Sequence, residues 1–492
     1  MFQIFNIDNM TEIKLTVSQQ RVFDKMCKFV ESKDERIFIL QGYAGTGKTT
    51  MMKFFVEYLR NKDKHFQLLA PTGRAAKVLR DKTDEQAAQT IHSMIYTLSK
   101  NCFNVKDDDK LLNIRDTGQL YLVFEPHEID RKKSADVVYI IDEASMISDT
   151  EEKHITQAKF GTGKLLTELL NYDKREKSKF IFIGDPCQLP PIESTKSLAL
   201  LPEKFSSRGM KVVQGNLTEI IRQKGVNSII SASQKIRALK DIAPETQQEY
   251  RFKTWGKLPF RNSPNIKIHP NSDDMLKDYI DKIKGGDYNE ATYICRSNKQ
   301  CEITARVIRK QLGFSDSNVV EKNDLLLVIQ NNAISGLMNG DMVKVKFVSK
   351  KVYNKANLTF REIQFKELVT GREYSQLLLE QTLNQDTLNL DTIQQTALFK
   401  DFIIRMKRSG IKPNTDAFRR ELYKDPYLNA LRCTYGYAIT CHKSQGGEWK
   451  DVYVEMPRNI TLNPTKSTYQ WIYTAMTRTS QDLHIVDDFY LQ

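Results

Sequence analysis

FILQGYAGTGKTTMMKFF, Phe38 to Phe55, sets the pattern G-x-x-x-x-G-K-[ST] between an apolar run and a helix-forming stretch. Ile37, Phe38, Ile39 and Leu40 suit a buried parallel strand, and Met51, Phe54, Phe55 and Tyr58 recur at helical spacing after the loop. Gly42, Gly45 and Gly47 let the backbone turn tightly and aim successive N–H groups at a phosphate chain, while the helix N-terminus adds partial positive charge. The pattern makes Gly42, Ala44, Gly45, Thr46, Gly47 and Thr50 the phosphate cradle. It sends Lys48 to the β- and γ-phosphates of a nucleoside triphosphate and gives Thr49 to Mg²⁺. A second GTGK, Gly161 to Lys164, has Ala158 where the first glycine belongs and Leu165 after the lysine, and is expected to be an unrelated loop.

Around this stretch lie 492 residues, enough for two to four domains with cores of their own. Hydrophobic residues make up 40% and charged residues 27%, the balance of a water-soluble globular chain. Lysine and arginine exceed aspartate and glutamate by 74 to 61, a net charge of +13 that favours a polyanionic partner. The seven cysteines are odd in number and include no C-x-x-C, so neither a disulfide framework nor a zinc ribbon is expected. A reducing, cytoplasmic setting fits this usage, and no apolar run of about 18 residues suggests a membrane span.

Working outward, Leu15-Thr16-Val17-Ser18-Gln19 precedes an amphipathic helix, and Gln19 could offer its amide to an adenine edge. FQLLAPTGRAAKVLR, Phe66 to Arg80, is a second strand that turns at Pro71-Thr72-Gly73 into a helix, with Thr90-Ile91-His92 soon after. Strand and helix alternate as in a parallel sheet, whose ligands sit at the carboxyl ends of the strands. Residues 101–133 are mixed and charged, with Tyr121, Val123 and Phe124 near Pro126. They fit either a small β-insertion or a solvated loop.

VVYIIDEASM, Val137 to Met146, ends an apolar strand in Asp142-Glu143, one carboxylate suited to ordering Mg²⁺ and the next to polarising water. KFIFIGDPCQLPP, Lys179 to Pro191, repeats the form with Asp185 and Gln188, whose uncharged amide could sense a terminal phosphate. In the second half, Arg222 follows an apolar run, and Tyr293 to Leu312 is again strand, turn and helix. Residues about 340 to 375 alternate like an antiparallel meander. YGYAITCHKSQGGEWKDVYVEM, Tyr435 to Met456, places His442 and Lys443 at a strand end beside Gly446 and Gly447, a setting for phosphate contact. Tyr473-Thr474-Ala475-Met476-Thr477-Arg478 closes the series.

In this order the motifs resemble the superfamily 1B helicases, the 5′-to-3′ group that contains RecD, Dda and the Pif-type enzymes. The resemblance implies an α/β fold of two tandem RecA-like P-loop NTPase domains, with a β-hairpin insertion in the first and an SH3-like barrel plus helices in the second. It implies an arm at 1–14, a first motor domain over 15–205, a second over 206–345 and 431–492, and an inserted domain at 346–430. The insertion at 101–133 would be a pin whose Phe103, Tyr121, Val123 and Phe124 meet the terminal base pair. ATP and Mg²⁺ would lie in the cleft, with Gln19 on adenine, Glu448 on ribose and Gly446 nearby. Lys48, Asp142, Glu143 and Gln188 would act on the phosphates from one side, Arg222 and Arg478 as arginine fingers from the other. Pro71, Thr72, Gly73, His92, Asn298, Thr440, His442 and Lys443 map to positions beside the nucleic-acid strand. The implied partners are single-stranded DNA, single-strand/duplex junctions and replication or repair proteins. An RNA helicase of the same fold, or an ATP-gated subunit of a larger DNA-processing complex, remains open.

Overall fold

The computed structural model describes residues 14–492 except 106–110, 112–117, 128–135, 153–154, 156, 174, 176, 193, 220–227, 316–318 and 384–388. In chain order the first half supplies strands β1 (Glu35–Gly42), β2 (Phe66–Ala70), β3 (Gln89–Thr90), β4 (Tyr96–Phe103), β5 (Leu122–Pro126), β6 (Val138–Ile141), β7 (Ala158–Phe160), β8 (Lys179–Gly184) and β9 (Lys211–Leu217). Six of them form a parallel sheet in the order β3-β2-β6-β8-β1-β9. Both faces are covered, which is why its strands are continuous apolar runs rather than alternating ones. Phe38 and Leu40 pack to one side, against the helices Val17–Glu31 and Lys48–Asn61 through Val22, Phe29, Met52 and Phe55. Ile37 and Ile39 pack to the other, with Leu166 and Leu169 of the helix Leu165–Tyr172. β1, β6 and β8 therefore end side by side at the carboxyl edge and deliver the three phosphate-chemistry motifs to one place.

The second half supplies β10 (Ile266–His269), β11 (Ala291–Cys295), β12 (Leu325–Val328), β13 (Met342–Lys355), β14 (Leu358–Glu367), β15 (Glu373–Leu379), β16 (Cys433–Tyr435), β17 (Ile439–Thr440), β18 (Trp449–Val454) and β19 (Thr479–Val486). A second parallel sheet runs β10-β19-β18-β11-β17, and an antiparallel one runs β15-β14-β13-β12-β16. The antiparallel sheet reaches beyond 346–430, because β12 and β16 from the flanking sequence complete it. Leu325 to Val328 is buried along its whole length and shares one core with both second-half sheets.

The segment around 101–133 forms structure of its own. β4 and β5 pair antiparallel, and β7 joins β5 in parallel. Phe103 does not reach out toward a base pair. It is 2% exposed and packs edge-on against Phe399 and Phe418, at ring distances of 5.1 and 6.3 Å. Cys102, Leu120 and Leu122 enter the same core, whose other wall is Leu358, Phe360, Leu398 and Phe402. Leu120 N donates to Thr396 Oγ1, Cys102 N to Asn414 Oδ1, and Arg419 Nη2 to the Lys100 carbonyl. Hydrophobic burial thus fastens the first half's insertion to the helices Thr392–Arg408 and Asp416–Lys424 of the second. Phe124 is half-buried and stacks on Phe160 at 4.7 Å.

Candidate functional site

Gly47 caps the helix Lys48–Asn61 with φ 76°, and Gly45 has φ 80°. Both lie in the left-handed region, where a side chain is strained. At Gly42 a Cβ would sit 3.0 Å from Lys48 Cγ, so this glycine makes room for the lysine stem. The Lys48 ammonium lies across the loop, donating to the carbonyls of Gly42 at 2.6 Å and Tyr43 at 3.0 Å. Thr46 is buried and donates to the Tyr43 carbonyl, while Ala44, Thr49 and Thr50 remain partly accessible.

Gln19 lies under this loop, with its amide already engaged. Its Oε1 accepts from Thr16 N in a capping box, and its Nε2 donates to the Thr46 carbonyl at 3.1 Å. One amide hydrogen and one lone pair are left over, the pair that an adenine edge requires.

At the end of β6, Asp142 and Glu143 stand beside Lys48. Burial and the Glu143 charge push the Asp142 carboxyl up to about 6, and Lys48 pulls in the opposite direction. Glu143 has φ 50° and opens the short turn Ala144–Met146, a backbone setting uncommon for a non-glycine residue. At the end of β8, Gln188 is 4% exposed and its Oε1 has no partner among the described residues. A buried, unsatisfied amide is costly in isolation and suits a site completed by a ligand. The alcohol of Thr49 and the carboxylate of Asp142 are hard oxygen donors of the kind Mg²⁺ takes, so the residues present fit Mg²⁺ with a nucleoside triphosphate.

The helix Lys466–Met476 closes the site from the second sheet. The Tyr473 hydroxyl donates to Asp185 Oδ2 at 2.8 Å and accepts from the Ala44 amide at 3.0 Å. Thr474 Oγ1 accepts from Leu189 N, Gln470 Nε2 donates to the Gln188 carbonyl, and Gln445 Nε2 donates to the Leu189 carbonyl. Arg478 is buried, with its guanidinium on the carbonyls of Thr474 and Gly447 and on Thr477 Oγ1. Gly446 has φ 75° and lies against Ala75, and Glu448 is exposed. Arg222 lies outside the described residues.

Along the same edge, Thr72 and Thr440 are matching N-caps. Thr72 Oγ1 accepts from Ala75 N and Thr440 Oγ1 from Lys443 N, so each strand end passes directly into a helix. Pro71 is half-buried, whereas Gly73 is buried, and a Cβ on it would come within 2.4 Å of Met338. The structure brings Asn298, Thr440 and Lys443 together in one groove, with Glu302 and Tyr435 on its walls. Burial holds Lys443 down at about 8 and lowers His442 as well. His92 lies apart from that groove, packed edge-on to Phe160 at 5.2 Å, and burial lowers it to about 4, so it is neutral at pH 7. The second GTGK closes on a carboxylate instead of a phosphate, with Thr162 N and Oγ1 both donating to Glu168 Oε1.

A family model described as an AAA domain matches residues 14–251, and one described as a UvrD-like helicase C-terminal domain matches residues 435–486. The RecBCD enzyme subunit RecD of Buchnera aphidicola subsp. Schizaphis graminum is 25% identical over 91% of this chain and 70% of its own length. The ATP-dependent DNA helicase dda of Enterobacteria phage T4 is 27% identical over 63% of this chain and 60% of its own. Together these matches support a superfamily 1B helicase of the RecD/Dda/Pif-type group. A crystal structure of Pif1 helicase from Bacteroides, in complex with ADP-AlF3 and ssDNA, aligns with a TM-score of 0.47 at 15% identity, covering 97% of this chain and 93% of that one.

This helicase is thus an ATP-hydrolysing enzyme by class, and its cleft contains contacts that motif spacing did not single out. Arg74 lies over the Trp449 ring at 4.9 Å and donates to the Gly340 carbonyl, tying the APTGRAA helix to the second half. Arg237, from the helix Ser228–Ile242, sits 3.6 Å over the Tyr43 ring of the phosphate loop, and its Nη1 has no partner among the described residues. A lone arginine in a bland amphipathic helix carries no sequence signal; only the fold brings it to the loop. No helix among the described residues of the helicase is long and apolar enough to cross a membrane.

Proposed function

We propose that this helicase acts on DNA, hydrolysing Mg²⁺-ATP between its two parallel sheets, moving 5′-to-3′ along a single strand and unwinding the duplex ahead. The observation that carries the reading is the Tyr473 hydroxyl, which bonds both the Ala44 amide of the phosphate loop and Asp185. One side chain of the second half therefore holds two phosphate motifs of the first, and a change at the nucleotide is felt across the cleft.

In this reading Lys48 neutralises the β- and γ-phosphates, the loop amides from Gly42 to Thr50 cradle them, and Gln19 takes the adenine edge. Thr49 and Asp142 hold Mg²⁺, which supplies charge neutralisation on the phosphate oxygens. Glu143 accepts the proton of the attacking water, and Gln188 donates to the terminal phosphate. Arg222 and Arg478 stabilise charge in the transition state from the second half, with Glu448 at the ribose beside Gly446. The strand runs past Pro71, Thr72, Gly73 and His92 to Asn298, Thr440, His442 and Lys443. An inserted SH3-like module built on β13 to β15 completes the second half.

The test is hydrolysis with single-stranded DNA or RNA, run beside unwinding of 5′-tailed and 3′-tailed duplexes. Preferential unwinding of the 5′-tailed DNA supports the reading. Stimulation by RNA alone, or hydrolysis without unwinding by the isolated chain, favours an RNA helicase or a subunit that needs its complex.

A further inference from the structure

At the β10 edge of the second parallel sheet, one face collects His269, His484, Tyr453 and Asp451. Register explains the gathering. His484 stands opposite Lys267 in β10 and opposite Tyr453 in β18, and residues two apart on each strand share that face. The helix Ser272–Ile283 covers it and adds Asp278 and Lys282, one turn apart. The rings of Tyr453 and His484 stack at 4.0 Å, and those of His269 and His484 at 5.3 Å.

The hydrogen bonds fix which atoms are available. His484 Nε2 lies 3.2 Å from Asp451 Oδ1, and Asp451 Oδ2 accepts from Lys282 at 2.7 Å. An ionised carboxylate only accepts, so His484 carries its proton on Nε2 and leaves a lone pair on Nδ1. That Nδ1 faces His269 Nε2 at 3.0 Å and Asp278 Oδ2 at 3.4 Å. Asp278 Oδ2 is oriented in turn by the Tyr453 hydroxyl at 2.5 Å. One ligand atom from each of His269, Asp278 and His484 lies within 4.8 Å of the others.

We propose that His269, Asp278 and His484 form a binding site for a zinc-class divalent cation. Zinc bonds of about 2.0–2.1 Å in a tetrahedron place donor atoms about 3.3 Å apart, and the two shortest separations here, 3.0 and 3.4 Å, bracket that value. Two imidazoles and one carboxylate form a donor set that Zn²⁺ or Co²⁺ accepts and Mg²⁺ does not favour. Asp451 behind His484 and Tyr453 behind Asp278 supply the outer hydrogen bonds that orient metal ligands. His269 and Asp278 are partly exposed, so solvent reaches the fourth coordination position. An ion here would pin the edge strand β10 and the covering helix to β19. The site lies apart from the phosphate loop, so its role is to hold structure rather than to enter hydrolysis.

The competing arrangement is a simple hydrogen bond between the two imidazoles, with Asp278 serving only Tyr453. The full-length protein is freed of metal by chelation and then titrated with Zn²⁺, Co²⁺ or Mg²⁺, with melting temperature and visible absorption as readouts. The expected result is one Zn²⁺ per chain, a raised melting temperature and an intense tetrahedral Co²⁺ band, with no such response to Mg²⁺. His269→Gln and Asp278→Asn keep polar bulk, and each should weaken Zn²⁺ by about 100-fold or more, the upper range for disturbing such a site. Metal-free melting and hydrolysis should stay near wild type in both. Wild-type protein without a Zn²⁺-dependent shift or Co²⁺ band overturns the proposal. So does unchanged binding in both variants, or a Co²⁺ spectrum with thiolate charge-transfer bands, which would locate the metal on the free cysteines.

Discussion

Tyr473 and Asp185 meet across the cleft, hydroxyl to carboxylate at 2.8 Å, although one belongs to the second parallel sheet's last helix and the other to a strand end of the first. Burial and the Asp185 charge push the phenol well above its ordinary range, so it remains a donor at every working pH. Asp185 is fully buried. Tyr473→Phe leaves that carboxylate without this donor, a loss of about 1–3 kcal/mol. The expected result is a fall of about 10-fold in kcat, with a smaller change in the KM for ATP, read by steady-state hydrolysis with saturating single strand. An unchanged kcat would mean that the bridge does not transmit closure.

The roles proposed for Lys48 and Glu143, charge neutralisation and proton transfer, are separable by substitution. Lys48→Ala should abolish hydrolysis, because no other lysine side chain approaches the loop carbonyls of Gly42 and Tyr43 among the described hydrogen bonds. Glu143→Gln should still bind ATP and turn it over at least about 100-fold more slowly, the contribution of a positioned base. Equilibrium binding of a fluorescent ATP analogue, run beside phosphate release, distinguishes the two variants. Normal turnover in Glu143→Gln would assign the base elsewhere.

Phe103 now belongs to a stability argument. It packs into a core shared by the first half's insertion and the second half's helices, so Phe103→Ala removes contacts on both sides at once. The expected destabilisation is about 3–5 kcal/mol, as for other large-to-small changes in a core. Chemical denaturation should show it as a lower midpoint, with the earliest loss of structure where the insertion meets Thr392–Arg408. A variant as stable as wild type would mean that this core contributes little to holding the two insertions together.

The meeting of three motifs at one sheet edge was legible because its signals are local. GYAGTGKT, DEAS and GDPCQLPP each place their chemistry within a few residues of an apolar strand, and a parallel sheet sends all three strand ends to the same edge. What was not legible depends on distant pairing. Phe103 looked like an exposed aromatic in a charged segment, and only the partner core from Leu358 to Phe418 shows that it is buried. Arg237 over Tyr43 and Arg74 over Trp449 join residues far apart in sequence, with no periodicity that links them. β12 and β16 were read outside the antiparallel module because their runs are short and apolar, a pattern shared by strands of either sheet type.

Lys443 gives the groove proposed to hold the nucleic-acid strand its own pH signature. Its ammonium shares the groove with Asn298 and Thr440, and burial pulls it down to about 8. Below that pH the side chain is charged and can pair with a phosphate; above it the charge is lost, so affinity should fall as pH rises from 7 to 9. A bound phosphate favours the protonated form and extends binding upward, which limits the loss to at most about 10-fold per pH unit from a single proton. His92, lowered to about 4, does not titrate in that window and should leave the profile unchanged when replaced by glutamine. Lys443→Arg should bind at pH 7 and lose less affinity by pH 9, since a guanidinium stays charged. Lys443→Gln should bind more weakly at every pH and reduce the log–log salt slope by about 1. Fluorescence anisotropy with a labelled oligonucleotide at fixed ionic strength measures all four proteins. If Lys443→Arg follows the wild-type pH profile, the titrating group lies elsewhere and the lysine is not the phosphate contact.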